Sequence, residues 1–263
     1  MKTRIISAIV AAVLVIPLLI LGGYPFYIGV GLLALLGYKE ILDLKKDHKP
    51  VPNLIVLFGL ISVSLLVLSN FNSYSLNFGI TYQRIIITLL LLLVPTIFYK
   101  NELYTTRDAF YLIGATLLIG LVFNLFIVIR NRGLYLLLYL IAIPMFTDIA
   151  AMLTGKFFGK TKLCPKISPH KTWEGSFGGL LFGTIAGVLI YSLLIGSFSI
   201  KIVFFSAILS IAGQIGDLIM SKVKRENEIK DFSNIMPGHG GILDRLDSII
   251  FVLLAYLLLV FYI

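Results

Sequence analysis

The sequence predicts an all-α, polytopic integral membrane bundle of about nine transmembrane helices with its N-terminus in the cytoplasm, and three observations carry that prediction. Hydrophobic residues make up 59% of the 263-residue chain and charged residues 13%, where a soluble domain carries about 25% charge. Mean hydropathy is +1.00, and apolar windows of about 19 residues recur along the whole length. Basic residues, in turn, alternate in density between successive segments that join those windows.

Taken in order, the windows place spans at 5–22, 24–42, 53–69, 84–99, 108–129, 133–154, 174–195, 200–220 and 244–263. The first follows Met1-Lys2-Thr3-Arg4. Its apolar run is long and no small-x-small cleavage site precedes Tyr24, so it reads as a retained anchor rather than a signal peptide. Pro17, Pro95 and Pro144 fall inside spans, where neighbouring helices can satisfy the freed carbonyls and local kinks are expected. The seventh span carries Gly175, Gly179, Gly183 and Gly187. That four-residue spacing leaves one helix face nearly without side chains, a surface for close helix packing.

Orientation follows from the basic residues. With alternate segments on the same side, only Arg84, Arg130, Arg132 and Lys201 of the 22 Lys and Arg residues fall on one side. The positive-inside rule makes the crowded side cytoplasmic. The polar loops 155–173 and 221–243 then share that face, and the chain divides into an N-terminal membrane-helix region, 1–130, and a catalytic region, 131–263, that carries both loops. The net charge of +9 belongs to this membrane asymmetry, and no nucleic-acid partner is expected. The single cysteine, Cys164, excludes an intrachain disulfide and, lacking Cys or His partners at ligand spacing, a zinc site.

The acidic residues locate the chemistry. Asp148, Glu174, Asp217, Asp244 and Asp247 lie in spans or at span ends on the cytoplasmic side, where each carboxylate needs a partner. On a helix Asp217, Ser221 and Lys224 share one face at i, i+4 and i+7, while Asp244, Asp247 and Ser248 share another. Between them runs a loop with Lys222, Lys224, Arg225 and Lys230, then Gly238, His239, Gly240 and Gly241. Consecutive N–H groups in such a glycine turn can form an anion nest before the ninth helix. Carboxylates beside phosphate-binding cations would repel an anionic ligand unless a divalent cation lies between, so the pattern predicts a Mg²⁺-dependent phosphate site. The competing reading pairs Asp231, Asp244 and Asp247 with Lys230 and Arg245 and sends the basic run to anionic lipid headgroups. In the other loop Ser168, Lys171 and Thr172 offer hydroxyls and a cation, and Glu174 begins the seventh helix. There the competing reading is a helix cap built on Lys171 or Thr172.

These residues resemble the phosphatidate cytidylyltransferase family. Its C-terminal signature is matched by Ser221, Lys224, Arg225, Lys230, Asp231, Pro237, His239, Gly240, Gly241, Asp244, Arg245 and Asp247. Its upstream pattern is met by Asp148, Ala151, Gly155, Phe158, Gly159, Ser168, Pro169, Lys171, Thr172, Glu174 and Gly175. Met152 stands where that family usually has Tyr, and Met236 where it usually has Leu, Ile or Phe. The resemblance spans Asp148 to Asp247; the N-terminal spans match only in being hydrophobic.

The resemblance implies transfer of a cytidylyl group from CTP to phosphatidic acid, yielding CDP-diacylglycerol and pyrophosphate with Mg²⁺ as cofactor, in the cytoplasmic membrane of a bacterium. Asp217 and Asp244, with Asp148 and Asp247, would hold metal. Lys171, Lys224, Arg225 and Arg245 would divide the triphosphate and the phosphatidate, with Arg225 near the reacting phosphate and Lys171 orienting CTP. Ser168, Thr172, Glu174, Ser221, Lys230, His239, Gly240 and Gly241 would complete the substrate site. The partners are then the two substrates and membrane lipid, with a homodimer left open. The alternatives are a CTP-dependent polyprenol or phytol kinase, a cytidylyltransferase for archaeal ether lipid, and, more remotely, a secondary transporter.

Overall fold

The computed structural model describes residues 2–46, 50–70, 82–100, 102–238 and 240–260. Helices stand at each of the nine expected positions among them: α1 (Lys2–Leu21), α2 (Gly23–Lys46), α3 (Asn53–Val67), α4 (Tyr82–Leu93), α5 (Thr106–Arg132), α6 (Leu134–Phe158), α7 (Trp173–Leu194), α8 (Ile200–Glu226) and α9 (Leu243–Leu259). A helix is the form in which an apolar segment satisfies its own backbone polar groups. Five stretches among the described residues are long and apolar enough to cross a membrane, 23–44, 106–132, 134–158, 173–194 and 200–226. The α3, α4 and α9 helices have 15, 12 and 17 residues, short of the roughly 20 that a span takes. Residues 261–263, the end of the ninth expected span, lie outside the described residues.

Three local differences from the expected pattern have physical causes. Pro95 does not kink a continuous helix. It ends one: α4 stops at Leu93 and Val94–Ile97 form a 3-10 turn. The carbonyls so released are taken by Tyr104 Oη, which donates to Leu92 O at 2.8 Å, and by Thr96 Oγ1, which donates to Leu93 O at 2.7 Å. Second, the segment expected as a loop, 155–173, holds the last turn of α6 and an antiparallel hairpin of β1 (Lys162–Cys164) and β2 (Ser168–Thr172), so the fold departs from all-α there. Third, α8 continues through Glu226, and Ser221, Lys224 and Arg225 are therefore helical rather than in a loop.

The chain packs as two compact units. One contains residues 1–132 together with 231–243. Its core runs along α5, where Asn124 Nδ2 donates to Val67 O and Ser69 Oγ and closes the end of α3. On α2, Glu40 is 1% exposed and its carboxylate accepts from Ser233 Oγ at 2.6 Å, Ile242 N at 2.8 Å and Leu243 N at 2.9 Å. The glycine-rich segment is thereby held within this unit.

The other unit contains residues 133–230 and 244–263. Gly175, Gly179, Gly183 and Gly187 are all buried on α7, as their spacing requires. A Cβ on Gly179 would press on Thr147 O and Ala151 Cβ of α6, so the two backbones meet almost directly. Gly213 and Gly216 of α8 meet Val252 and Phe251 of α9 in the same manner.

Candidate active site

Two helix starts and two helix ends in the second unit build one polar cavity of about 570 Å³. Thr172 is the cap of α7: its backbone is extended and its Oγ1 accepts from Gly175 N at 3.1 Å, which satisfies an otherwise unpaired N–H of the first turn. Glu174 reaches back to Thr161 N at 3.2 Å and so holds the start of the hairpin to the start of the helix. These bonds fix the preceding residue, Lys171, in the cavity wall. Thr172 is thus the helix cap that the competing reading offered and it also lines the cavity, whereas Glu174 does not line it.

Asp148, Asp217, Asp244 and Asp247 all line this cavity. They come from α6, α8 and the first turn and a half of α9, so the i, i+3 spacing of Asp244 and Asp247 serves one space. Asp148, Asp217 and Asp247 are within electrostatic reach of one another. Two lysines offset that charge. Lys171 Nζ lies 2.5 Å from Asp217 Oδ2, and Lys224 Nζ lies 2.7 Å from Asp244 Oδ1. The first pair is partly exposed, at 28% and 24% of its side chains, and the second is sequestered, at 11% and 3%. Ser221 Oγ donates to Asp217 Oδ1 at 3.2 Å and Ser248 Oγ to Asp148 Oδ2 at 3.3 Å. The shared face expected for Asp217, Ser221 and Lys224 thus holds.

The remaining expected residues lie elsewhere. Arg225 does not face the cavity: its Nε donates to Ile167 O of the hairpin turn at 3.4 Å and its Nη1 to Ile229 O at 3.0 Å. From the last turn of α8 the long side chain reaches two carbonyls outside the helix, one in the hairpin turn and one just beyond the helix end, and they hold it. Ser168 is in β2, opposite Cys164. Lys230 and Arg245 are exposed and outside the lining. Gly240 and Gly241 belong to the first unit, and His239 lies outside the described residues.

Residues that the sequence reading passed over also line the cavity. Lys156 and His170 do so, and both are visible in the sequence as charged or polar neighbours of the motif. Ser176 and Gln214 do so as a locked pair: Ser176 Oγ donates to Gln214 Oε1 at 2.6 Å and Gln214 Nε2 donates to Ser176 O at 3.3 Å. Gln214 is three residues before Asp217, on the same face of α8, and that spacing was its only signal.

A cavity lined by four carboxylates, the ammonium groups of Lys156 and Lys171 and a fixed amide, with Lys224 paired to Asp244 behind the wall, suits a multiply charged phosphate compound. The model of the cytidylyltransferase family matches residues 2–263. The chain belongs to that family. It is 36% identical over 261 residues to the phosphatidate cytidylyltransferase of Bacillus subtilis (strain 168), covering 96% of this chain and 95% of that protein. It is 36% identical over 260 residues to the enzyme of the same name from Staphylococcus aureus (strain COL), covering 96% of each. The similarity to these cytidylyltransferases therefore extends through the N-terminal helices and is not confined to the stretch from Asp148 to Asp247. Within the cavity of this family member, Met152 places a thioether in the wall, and no hydroxyl is supplied from that position.

Proposed function

We propose that this chain transfers the cytidylyl group of CTP to phosphatidic acid at the cytoplasmic face of a bacterial membrane. An oxygen of the lipid phosphate forms a bond to the α-phosphorus of CTP, the bond from that phosphorus to the bridging oxygen breaks, and pyrophosphate leaves. The lipid phosphate is already ionised, so the site needs no strong base; it must neutralise charge and align the reactants. The observation that carries this reading is the pairing of Lys171 with Asp217 and Lys224 with Asp244 around one cavity, in a chain of the cytidylyltransferase family.

The donor set supports a magnesium ion. Asp148, Asp217, Asp244 and Asp247 outnumber Lys156, Lys171 and Lys224, and a site with that balance repels a triphosphate unless a cation accompanies it. Among the described residues no three acidic, His or Cys side chains form a cage of their own. Mg²⁺ does not require such a cage, because it uses one or two carboxylates and completes its shell with phosphate and water. Asp217 and Asp244, flanked by Asp148 and Asp247, would hold it, and when bound it would neutralise charge on the phosphates. Lys171 keeps the cationic side of CTP binding, and Lys224 holds Asp244 in a single orientation.

The nine-span arrangement with a cytoplasmic N-terminus belongs to the same proposal, supported by the distribution of Lys and Arg. Cysteine variants at Lys166 and Lys222, in a Cys164→Ser background, would then be labelled by an impermeant reagent from the cytoplasmic face alone. Crosslinking in lipid vesicles separates monomer from homodimer.

Purified protein in detergent, given phosphatidic acid, Mg²⁺ and CTP labelled at either the α- or the γ-phosphate, tests the reaction. Only α-label should enter the lipid phase, and a chelator should stop it. Transfer of γ-label would instead identify a lipid kinase.

A further inference from the structure

We infer that Glu40, on α2, is a positioning residue for this reaction: it clamps the glycine-rich segment and the start of α9 from which Asp244 follows. The inference rests on the cytidylyl-transfer reading above. Glu40 is 1% exposed although Lys39 and Asp43 flank it at the end of an apolar run, and a buried carboxylate requires specific partners. It has three. Both oxygens are used, Oε1 by Ser233 Oγ and Ile242 N and Oε2 by Leu243 N.

Two consecutive N–H groups at the first turn of a helix have no partner within that helix, and a carboxylate there also meets the positive end of the helix dipole. The usual residue for this task is a cap adjacent in sequence. Here the cap comes from about 200 residues away. The two glycines are needed for different reasons, and the clamp accounts for the second. Gly240 has φ +81° and its carbonyl accepts from Met236 N at 3.0 Å, so its backbone conformation excludes a side chain. At Gly241 the backbone is ordinary, and the obstacle is Glu40: any Cβ there would collide with its carboxylate. Leu243, the last residue held, immediately precedes Asp244, which lines the cavity. Loss of the clamp therefore frees the backbone one residue away from a proposed metal ligand. Displacements of about 1 Å at such a place cost up to about a hundredfold in rate.

The experiment compares wild-type protein with Glu40→Ala and Glu40→Gln, both purified and shown folded in detergent. The readouts are kcat, the KM for each substrate, and backbone hydrogen exchange. The expected result is a kcat lowered about ten- to a hundredfold by Glu40→Ala, with both KM values within about threefold. Glu40→Gln, which retains one acceptor oxygen, should be intermediate, and exchange should quicken in 233–243 while the rest of the chain is unchanged. Gly241→Ala should reproduce the loss, and combining it with Glu40→Ala should add little. A folded Glu40→Gln protein with unaltered exchange in 233–243 and kcat within about twofold of wild type overturns the inference. So does a change in KM alone, or exchange that quickens throughout the chain with kcat per folded molecule unchanged. If Glu40→Ala does not fold, Glu40→Gln decides. If the wild-type protein transfers no cytidylyl group, the functional reading fails, and the exchange comparison still tests the clamp.

Discussion

Lys171 and Asp217 bond directly, Nζ to Oδ2 at 2.5 Å, although one is in β2 of the hairpin and the other sits on α8. The two residues had been expected to serve different groups, a phosphate and a metal. Their contact means that an arriving phosphate competes with Asp217 for the ammonium, and an arriving cation competes with Lys171 for the carboxylate. CTP and its cation therefore bind by exchange: the ammonium passes from Asp217 to phosphate and the carboxylate from Lys171 to the cation, so neither charge of the pair is left unpaired before or after.

It follows that the two residues act as a unit. Asp217→Ala and Lys171→Ala should each lower kcat/KM for CTP by at least about a hundredfold, and the double variant should be little worse than the weaker single. Steady-state kinetics on the four proteins measures the coupling. Losses that multiply would show that the contact has no functional meaning.

Lys224 and Asp244 form the more sequestered pair, with side chains 11% and 3% exposed. Removing one member strands the other charge away from water, which typically costs about 3–5 kcal/mol. Lys224→Ala should therefore lower the thermal unfolding midpoint in detergent more than Lys171→Ala does. Lys222→Ala provides the comparison: its contact with Glu226 is 3.5 Å long and well exposed, and such pairs contribute about 0.3–0.5 kcal/mol. Equal midpoints for Lys224→Ala and Lys222→Ala would contradict the burial argument.

Arg225 was expected near the reacting phosphate and is instead tied to the carbonyls of Ile167 and Ile229. Arg225→Ala should thus reduce kcat by no more than about fivefold, far less than Lys171→Ala, and should act by loosening the hairpin that carries Lys171. Limited proteolysis of the segment around Ile167 reads that loosening. A hundredfold fall in kcat with an unchanged digestion pattern would return Arg225 to the chemistry.

What could be read from the sequence divides along physical lines. The helices were legible because a lipid-facing helix announces itself by an apolar run, and the carboxylates of the cavity were legible because acids are rare in such runs. The hairpin was not, since Lys162–Cys164 and Ser168–Thr172 are short and polar and include Pro169, which argues against a strand. Glu40 follows Lys39 at the end of an apolar run and resembles ordinary span-end charge; its partners are about 200 residues distant, and periodicity carries no information over that separation. The contact of Arg225 was not legible because a motif records which residues recur together, while the carbonyl it finds at Ile167 depends on how the hairpin turns.

The glycine face of α7 makes a prediction that separates packing from backbone propensity. A Cβ on Gly183 would press into Thr147 Oγ1 and lie 3.1 Å from Ser210 Oγ, the two hydroxyls that bond each other at 2.8 Å between α6 and α8. Gly183→Ala must either break that buried bond or part the helices, and overpacking of this kind costs about 1–3 kcal/mol. Gly114, on α5, has nothing within 4 Å of its Cβ position. Gly114→Ala should be neutral or raise stability by up to about 1 kcal/mol, because alanine loses less conformational freedom in a helix than glycine does. Thermal unfolding of the two variants in one detergent gives the comparison. The Gly183 variant should also lose activity at temperatures where the wild type is folded, since Thr147 immediately precedes Asp148 and any shift of α6 away from α7 carries that carboxylate with it. If Gly183→Ala proved as stable as Gly114→Ala, the close approach of α6 and α7 would not exist in the folded protein.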